Sequence, residues 1–542
     1  MQSWNEYYPR PQLRRKSFLN LNGVWQLNGS DIVVPFPPES RAAQYSGELS
    51  ENMSYERAFE LPKGFFKGRE RVILHFGAVD QVCYVYVNNQ LVTRHVGGYL
   101  PFSADITDYL CLGENNLRVE AEDTLSHVYP YGKQRKDRGG MWYTPVSGIW
   151  QTVWMEAVPE KHVESIRVTP DLNGVTLNVI SKQDGCVVTV KGESKAIPTN
   201  CDVRLEIENP RLWSPEDPYL YDLHITCGAD EVDSYFALRT VTIEEKGGAQ
   251  RVCLNGKPIF MNGLLDQGYF VEGIYVPERP AAYAQDIENM QELGFNLLRK
   301  HIKIEPEIFY YECDRRGMLV MQDMVNSGDY QFFRDTALPT VGFKWWPDHR
   351  PGDKERKAFF EQHCRETLAH LYNHPCVIAY TIFNEGWGQY DSDRIYSDLK
   401  AMDPTRFYDS TSGWFHKKKS DVDSLHIYFR NKVLKPKRRP MLLSECGGYT
   451  RAIAGHLYAQ DGSYGYGKTD SEEALTQKIQ QMYEIMVLPA IKTGLCGVIY
   501  TQVSDVEDEI NGLYTFDRAV CKVNKEGMQR LSQRVQAEIS NI

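Results

Sequence analysis

Twelve cysteines are scattered through the 542 residues, and no two form a C-x-x-C pair. That argues against a zinc module and against a small disulfide scaffold. No apolar run approaches the roughly 18 residues of a membrane span. The first residues, MQSWNEYYPRPQLRRKS, lack the apolar stretch of a secretory leader. Together these absences lead us to expect a reduced, cytoplasmic protein with no membrane partner. Positive net charge is missing too: the formal charge is -11, which argues against nucleic-acid binding by the whole surface. We find no internal repeat and no low-complexity segment.

What is present is ordinary globular composition, 42% hydrophobic and 25% charged, over a length that favours two to four domains. Residues 1–160 read as short strands separated by Asn-Asn, Gly-Gly and Pro turns, as in "VCYVYVNNQLVTRH" and "NNLRVEAED". Their regular spacing predicts a β jelly roll. Residues 161–245 are again strands, of the size and spacing of a seven-stranded immunoglobulin-like β-sandwich.

From residue 246 onward strands alternate with helical patterns. Eight strands are expected, at PIFMNG, FNLLR, MLVMQ, CVIAYTIF, RFYDS, SLHIYF, PMLLS and LCGVIY. Eight strands with intervening helices predict a catalytic (β/α)8 (TIM) barrel over 246–542.

Active sites of such barrels lie at the C-terminal ends of the strands. Glu385, in "TIFNEGWGQYD", ends the fourth strand; Glu445, in "MLLSECGGY", ends the seventh. Each follows an apolar strand and precedes a glycine or a Cys-Gly pair. Two carboxylates on one catalytic face suit glycoside hydrolysis, one attacking the anomeric carbon and the other protonating the leaving oxygen. The plainer alternative is a pair of structural carboxylates held by buried arginine.

With these motifs on the page, the whole chain resembles glycoside hydrolase family 2, the family of β-galactosidases, β-glucuronidases and β-mannosidases. "FLNLNGVWQL" and "GAVDQVCYVYVNNQLVTRHVGGYLPFSADIT" are similar to its N-terminal sugar-binding domain, and "YTPVSGIWQTV" to that domain's closing strand. "GFNLLRKH" and "FYYECDRRGMLVMQD" are similar to the early barrel. The resemblance implies Glu385 as general acid/base, Glu445 as nucleophile and Asn384 as the contact to the sugar 2-hydroxyl. It also implies that Arg299 holds the nucleophile ionised and that Tyr428 touches it. Trp387 and Trp142 are candidates for stacking on sugar faces, with core packing as the alternative. Family relatives are often oligomers, so a homo-oligomer is compatible with the sequence. No metal or organic cofactor is expected.

Departures from the family pattern bear on the substrate. Asp266 and Gln267 replace a usual basic pair after the first strand, and His301 and Lys303 stand where the family has other residues. Trp142 aligns with an aspartate that reaches the sugar in galactosidases and glucuronidases. Glu509 and Asn511 occupy the segment where glucuronidases carry Asn-x-Lys, so that lysine is missing. Between Gly413 and Pro440, nine basic residues face only two acidic ones. Lys300, Lys303 and Arg334 add further positive charge. Clustered cations steer anionic ligands. The expected activity is therefore a retaining exo-β-glycosidase acting on a small or oligomeric β-hexuronide, galacturonide before glucuronide. A neutral β-galactosidase is the rival, and a catalytically inactive sugar-binding protein the more distant one.

Overall fold

A computed structural model of the chain describes residues 3–65, 70–340, 343, 348, 353–459 and 464–542. Each stretch of alternating sequence becomes a strand with one buried face. Val82–Val87 and Glu114–Glu122 bury every second side chain. Asn88 and Asn89, both with positive φ, make the tight turn into Gln90–Val96. The N-terminal region forms a six-stranded and a four-stranded antiparallel sheet. They enclose Trp25, Tyr55, Phe76 and Trp150. This is the jelly-roll sandwich.

The next region, from Val163 to Phe236, packs a three-stranded against a four-stranded sheet, the immunoglobulin-like sandwich. Its apolar core is separate, whereas the first sandwich and the barrel share one continuous core. Polar ties attach the middle domain. Arg15, almost fully buried, bridges Asp230 and Glu156, and the Trp213 indole donates to the Asp314 carbonyl at 2.8 Å.

The barrel strands are β1 (Met261–Asp266), β2 (Leu297–Lys300), β3 (Leu319–Asp323), β4 (Val377–Asn384), β5 (Phe407–Ser412), β6 (Asp423–Ile427), β7 (Met441–Gly447) and β8 (Leu495–Thr501). All the ladders are parallel, and β1 pairs β8. β1 begins later than PIFMNG implies. Pro258 has no N–H to give a ladder, and Lys257–Pro258 instead joins a small antiparallel sheet with Val241–Lys246 and Ala249–Leu254. The β5–β6 seam has no ladder; it is joined by Asp421 N–H to the Tyr408 carbonyl and by the Ser424 hydroxyl to Asp409, both 2.9 Å.

Helices follow β1 to β4, β7 and β8: α1 (Ala281–Glu292), α2 (Glu307–Arg316), α3 (Lys354–Leu371), α4 (Ser392–Met402), α5 (Glu472–Met482) and α6 (Lys525–Ser540). Asp353, Ser471 and Asn524 cap α3, α5 and α6 through side-chain oxygens. No helix follows β5 or β6.

Candidate active site

Arg299 on β2 organises the C-terminal face of the barrel. Its side chain is fully buried. Nε donates to Asp323 at 2.9 Å, Nη1 to Glu445 at 3.1 Å and to the Ser444 carbonyl at 3.0 Å, and Nη2 to Asn384 Oδ1 at 2.9 Å. One guanidinium thus fixes groups at the ends of β3, β4 and β7. The Asp323 carboxylate also accepts from His301 Nδ1 at 2.7 Å.

Burial works against ionisation of the Glu445 carboxyl. The electrostatic effects of His426 and then Arg299 outweigh it and hold the pKa below the ordinary value. The Tyr428 hydroxyl bonds the other Glu445 oxygen and lies 3.1 Å from the Thr501 hydroxyl. The Tyr428 ring stacks on Tyr466 at 4.2 Å. Burial, and then the Glu445 charge, push the Tyr428 phenol well above its usual range, so it remains a donor.

Glu385 sits one residue past β4 with φ +52, an uncommon conformation for a residue with a side chain. Its N–H bonds the Ser412 carbonyl at 3.0 Å. Gly386 follows at φ +75, and a Cβ there would lie 2.4 Å from the Phe415 ring. This tight left-handed turn answers why Asn-Glu-Gly stands at the end of an apolar strand: it aims the Glu385 carboxylate inward. Backbone strain of this kind concentrates at functional sites.

His426 on β6 was not singled out by the sequence. Its Nδ1 is 2.7 Å from Glu385 Oε1 and 3.5 Å from Glu445 Oε2, and its Nε2 is 3.1 Å from the Ser412 hydroxyl. The signal for it was present: in the expected strand SLHIYF, His426 and Tyr428 are two apart and would share a face. Asp323 was missed as well, although a lone carboxylate ending "MLVMQD" carries the same signal as Glu385. Glu385, His426 and Glu445 place one polar atom each within 4.8 Å of one another. A cation could use that trio, but it is also what an acid/base and nucleophile pair requires.

Other expected site residues are distributed differently. Trp142 and Trp387 meet edge to face at 5.0 Å, with Tyr330 4.9 Å from Trp142, and form an aromatic wall beside Glu385. The Trp387 indole donates to the Gly328 carbonyl. Lys300 is fully buried and bonds Asp266 and Glu305, each at 2.7 Å. Burial opposes its charge, but those two carboxylates raise its pKa overall. Lys303 bonds the Gly268 and Tyr275 carbonyls and Glu305; burial lowers its pKa to about 8. Arg334 pairs with Asp335 at 2.7 Å and bonds the Asp329 carbonyl. The donors of Lys300 and Lys303 are thus spent internally, and Arg334 is held by its neighbour in sequence.

The basic window divides. Asn431 lies beside Tyr449, just past β7. Arg439 reaches Asp423 at the start of β6, and Lys419 bonds Ser397 on α4. Those charges run down the barrel wall that no helix covers. Glu509 and Asn511 are buried near the mouth, with Asn511 Nδ2 donating to Glu509 at 2.9 Å and Tyr143 bonding the other Glu509 oxygen.

Two β-sandwiches in front of a (β/α)8 barrel, with paired carboxylates at its C-terminal face, define a class of multidomain glycosidase folds. The chain belongs to glycosyl hydrolases family 2: residues 17–159 match its sugar-binding domain, 161–239 the family's second domain and 246–485 its TIM barrel domain. A β-galactosidase of Thermoanaerobacter pseudethanolicus is 25% identical over 488 residues, covering 83% of this chain and 60% of that protein. A β-galactosidase of Aeromonas hydrophila is 28% identical, with 72% of this chain and 40% of that protein covered. The chain thus spans roughly half the length of those two relatives. Among solved structures, the β-D-glucuronidase of Dictyoglomus thermophilum superposes with a TM-score of 0.76 at 20% identity, covering 98% of both chains. A family 2 β-galacturonidase of Eisenbergiella tayi bound to galacturonate gives 0.68 at 19% identity, covering 97% of this chain and 98% of that one. No described helix is long and apolar enough to cross a membrane.

Proposed function

We propose that the chain is a retaining exo-β-glycosidase acting on terminal β-linked hexuronides, galacturonides before glucuronides. One observation carries the reaction type: carboxylate oxygens of Glu385 and Glu445 lie within 4.8 Å of each other. That spacing fits double displacement and leaves no room for the water of direct inversion. Glu445, held ionised by His426 and Arg299, attacks the anomeric carbon while Glu385 gives its proton to the departing oxygen. A covalent glycosyl-enzyme forms. Glu385, now a base, takes a proton from water, which displaces Glu445 with a second inversion. Asn384, held by Arg299, bonds the sugar 2-hydroxyl in both transition states in this reading.

The hexuronide reading is supported by the nine basic residues between Gly413 and Pro440, the segment that leads into β7 and Glu445. It is also supported by the end-to-end fold likeness to a glucuronidase and a galacturonidase. The absent Asn-x-Lys lysine favours the galacturonide. A specific observation favours the rival neutral β-galactosidase: Lys300 and Lys303 spend their donors on protein groups. The intact carboxylate pair speaks against a purely sugar-binding role. Hydrolysis of 4-nitrophenyl β-D-galacturonide, β-D-glucuronide and β-D-galactoside, side by side, tests the reading. We expect the highest kcat/KM on the galacturonide; a preference for the galactoside overturns it.

A further inference from the structure

We propose that Lys133, contributed by the N-terminal sandwich, grips the carboxylate of the terminal sugar; this rests on the hexuronide reading above.

The loop that carries Lys133 is pinned across the barrel mouth at two places. On one side the Tyr131 N–H donates to the Asn326 carbonyl and the Tyr131 hydroxyl to the Gly328 carbonyl, both 2.9 Å, just past β3. On the other, Tyr143 bonds Glu509 and the Thr144 N–H donates to Glu507 at 3.0 Å, just past β8. The barrel order runs β3-β2-β1-β8. The segment between these anchors therefore crosses the ends of β1 and β2, above His301. A bond from the Tyr143 N–H to the Lys133 carbonyl at 3.1 Å fixes the backbone there.

Lys133 is half-buried, and its ammonium lies 5.8 Å from the centre of the Trp142 ring, on the wall that includes Trp387. The structure gives its Nζ no hydrogen bond and no ion pair within 4 Å among the described residues. Its ionisable neighbours are His301 and Glu509. His301 already bonds Asp323, and both Glu509 oxygens are taken, by Tyr143 and by Asn511. The other cations of the loop have carboxylate partners: Arg135, whose guanidinium also lies 5.7 Å from the centre of the Trp142 ring, pairs with Asp137, Lys136 with Glu51, and Arg138 with Asp508 and Glu507. A half-buried ammonium without a partner is costly unless an anion arrives to meet it. Near that face, the buried atoms Gln267 Oε1, Asn326 Nδ2 and Gln502 Oε1 have no partner among the described residues.

The test compares K133M and K133R with the unaltered full-length chain on 4-nitrophenyl β-D-galacturonide and β-D-galactoside. The galacturonide-to-galactoside ratio of kcat/KM is independent of the fraction folded. In K133M we expect that ratio to fall roughly 10- to 100-fold, the range of a hydrogen bond to a charged group. K133R recovers most of it, and free galacturonate loses inhibitory strength in K133M by a similar factor. An unaltered chain that prefers the galactoside refutes the hexuronide reading and this proposal with it. An unaltered chain that prefers the galacturonide, with the ratio unmoved in K133M, refutes the role of Lys133 alone.

Discussion

At the scale of single residues the site is built around one guanidinium. Arg299 is fully buried and serves Asp323, Glu445 and Asn384 at once, so those three side chains have little freedom of position. Burial raises the Glu445 pKa, and His426 and then Arg299 outweigh it and hold it below the ordinary value. E445Q should keep this packing while losing the nucleophile. We expect kcat to fall at least roughly 1,000-fold with an unchanged far-UV circular dichroism spectrum; near-normal turnover would remove Glu445 from the role. E385A should act differently. Loss of a general acid costs about 10²–10⁴-fold, but a substrate with a dinitrophenyl leaving group needs no protonation. With that substrate, added azide should restore turnover and yield a β-glycosyl azide, because the anion replaces the missing base catalysis in the second step. An α-azide, or no rescue, would contradict the assigned pair.

At the scale of elements, strand ends and the turns after them decide which side chains converge. β4 is buried along its whole length and then turns through Glu385 and Gly386, both at positive φ. G386A adds a Cβ that would meet Phe415 at 2.4 Å. We expect about 1–3 kcal/mol of lost stability and a fall in kcat larger than any change in KM, because the acid/base is displaced rather than the binding wall. A kcat within twofold of the parent would show that the turn does not set the Glu385 geometry. The eight strand segments were legible from apolar runs bounded by turns, since a parallel barrel buries both faces of each strand. Strand starts were less so, as Pro258 shows. The destination of the basic window was not legible either: without helices after β5 and β6, its charges spread down the wall, and nothing in local composition marks that route.

At the scale of the whole molecule, the N-terminal sandwich and the barrel share a core and a site. His363 on α3 lies at this junction, edge-on to Tyr99 of the sandwich at 6.4 Å, and its Nε2 has no partner among the described residues. Burial lowers its pKa to about 3, whereas in the unfolded chain it titrates near its ordinary value of about 6.5. The folded pKa is the lower of the two. The unfolded state therefore binds the proton first, and the stability His363 contributes is full above about pH 6.5 and is lost as pH falls toward 3. H363F removes this linkage. Its melting temperature should drop less than the parent's between pH 7.5 and 5.0 by differential scanning calorimetry; equal drops would show that His363 is not part of the acid sensitivity.

Legible in the amino-acid order alone were the three-part architecture, the eight barrel strands and, as the proposed catalytic pair, Glu385 and Glu445. Each is written in local periodicity or in a motif at a strand end. It also named Arg299 and Tyr428 through the family resemblance, and both lie against Glu445. Only the tertiary structure decided what the cations do. Whether an ammonium is available to a ligand depends on which carboxylates the fold brings to it. Lys300 and Lys303 meet Asp266 and Glu305 across a few residues of β1 and β2 and are spent. Lys133, about 170 residues earlier in the chain, is carried to the same mouth by a loop of another domain and has no hydrogen-bond or ion-pair partner among the described residues. Such pairing is set by contacts between distant segments, which no local pattern encodes.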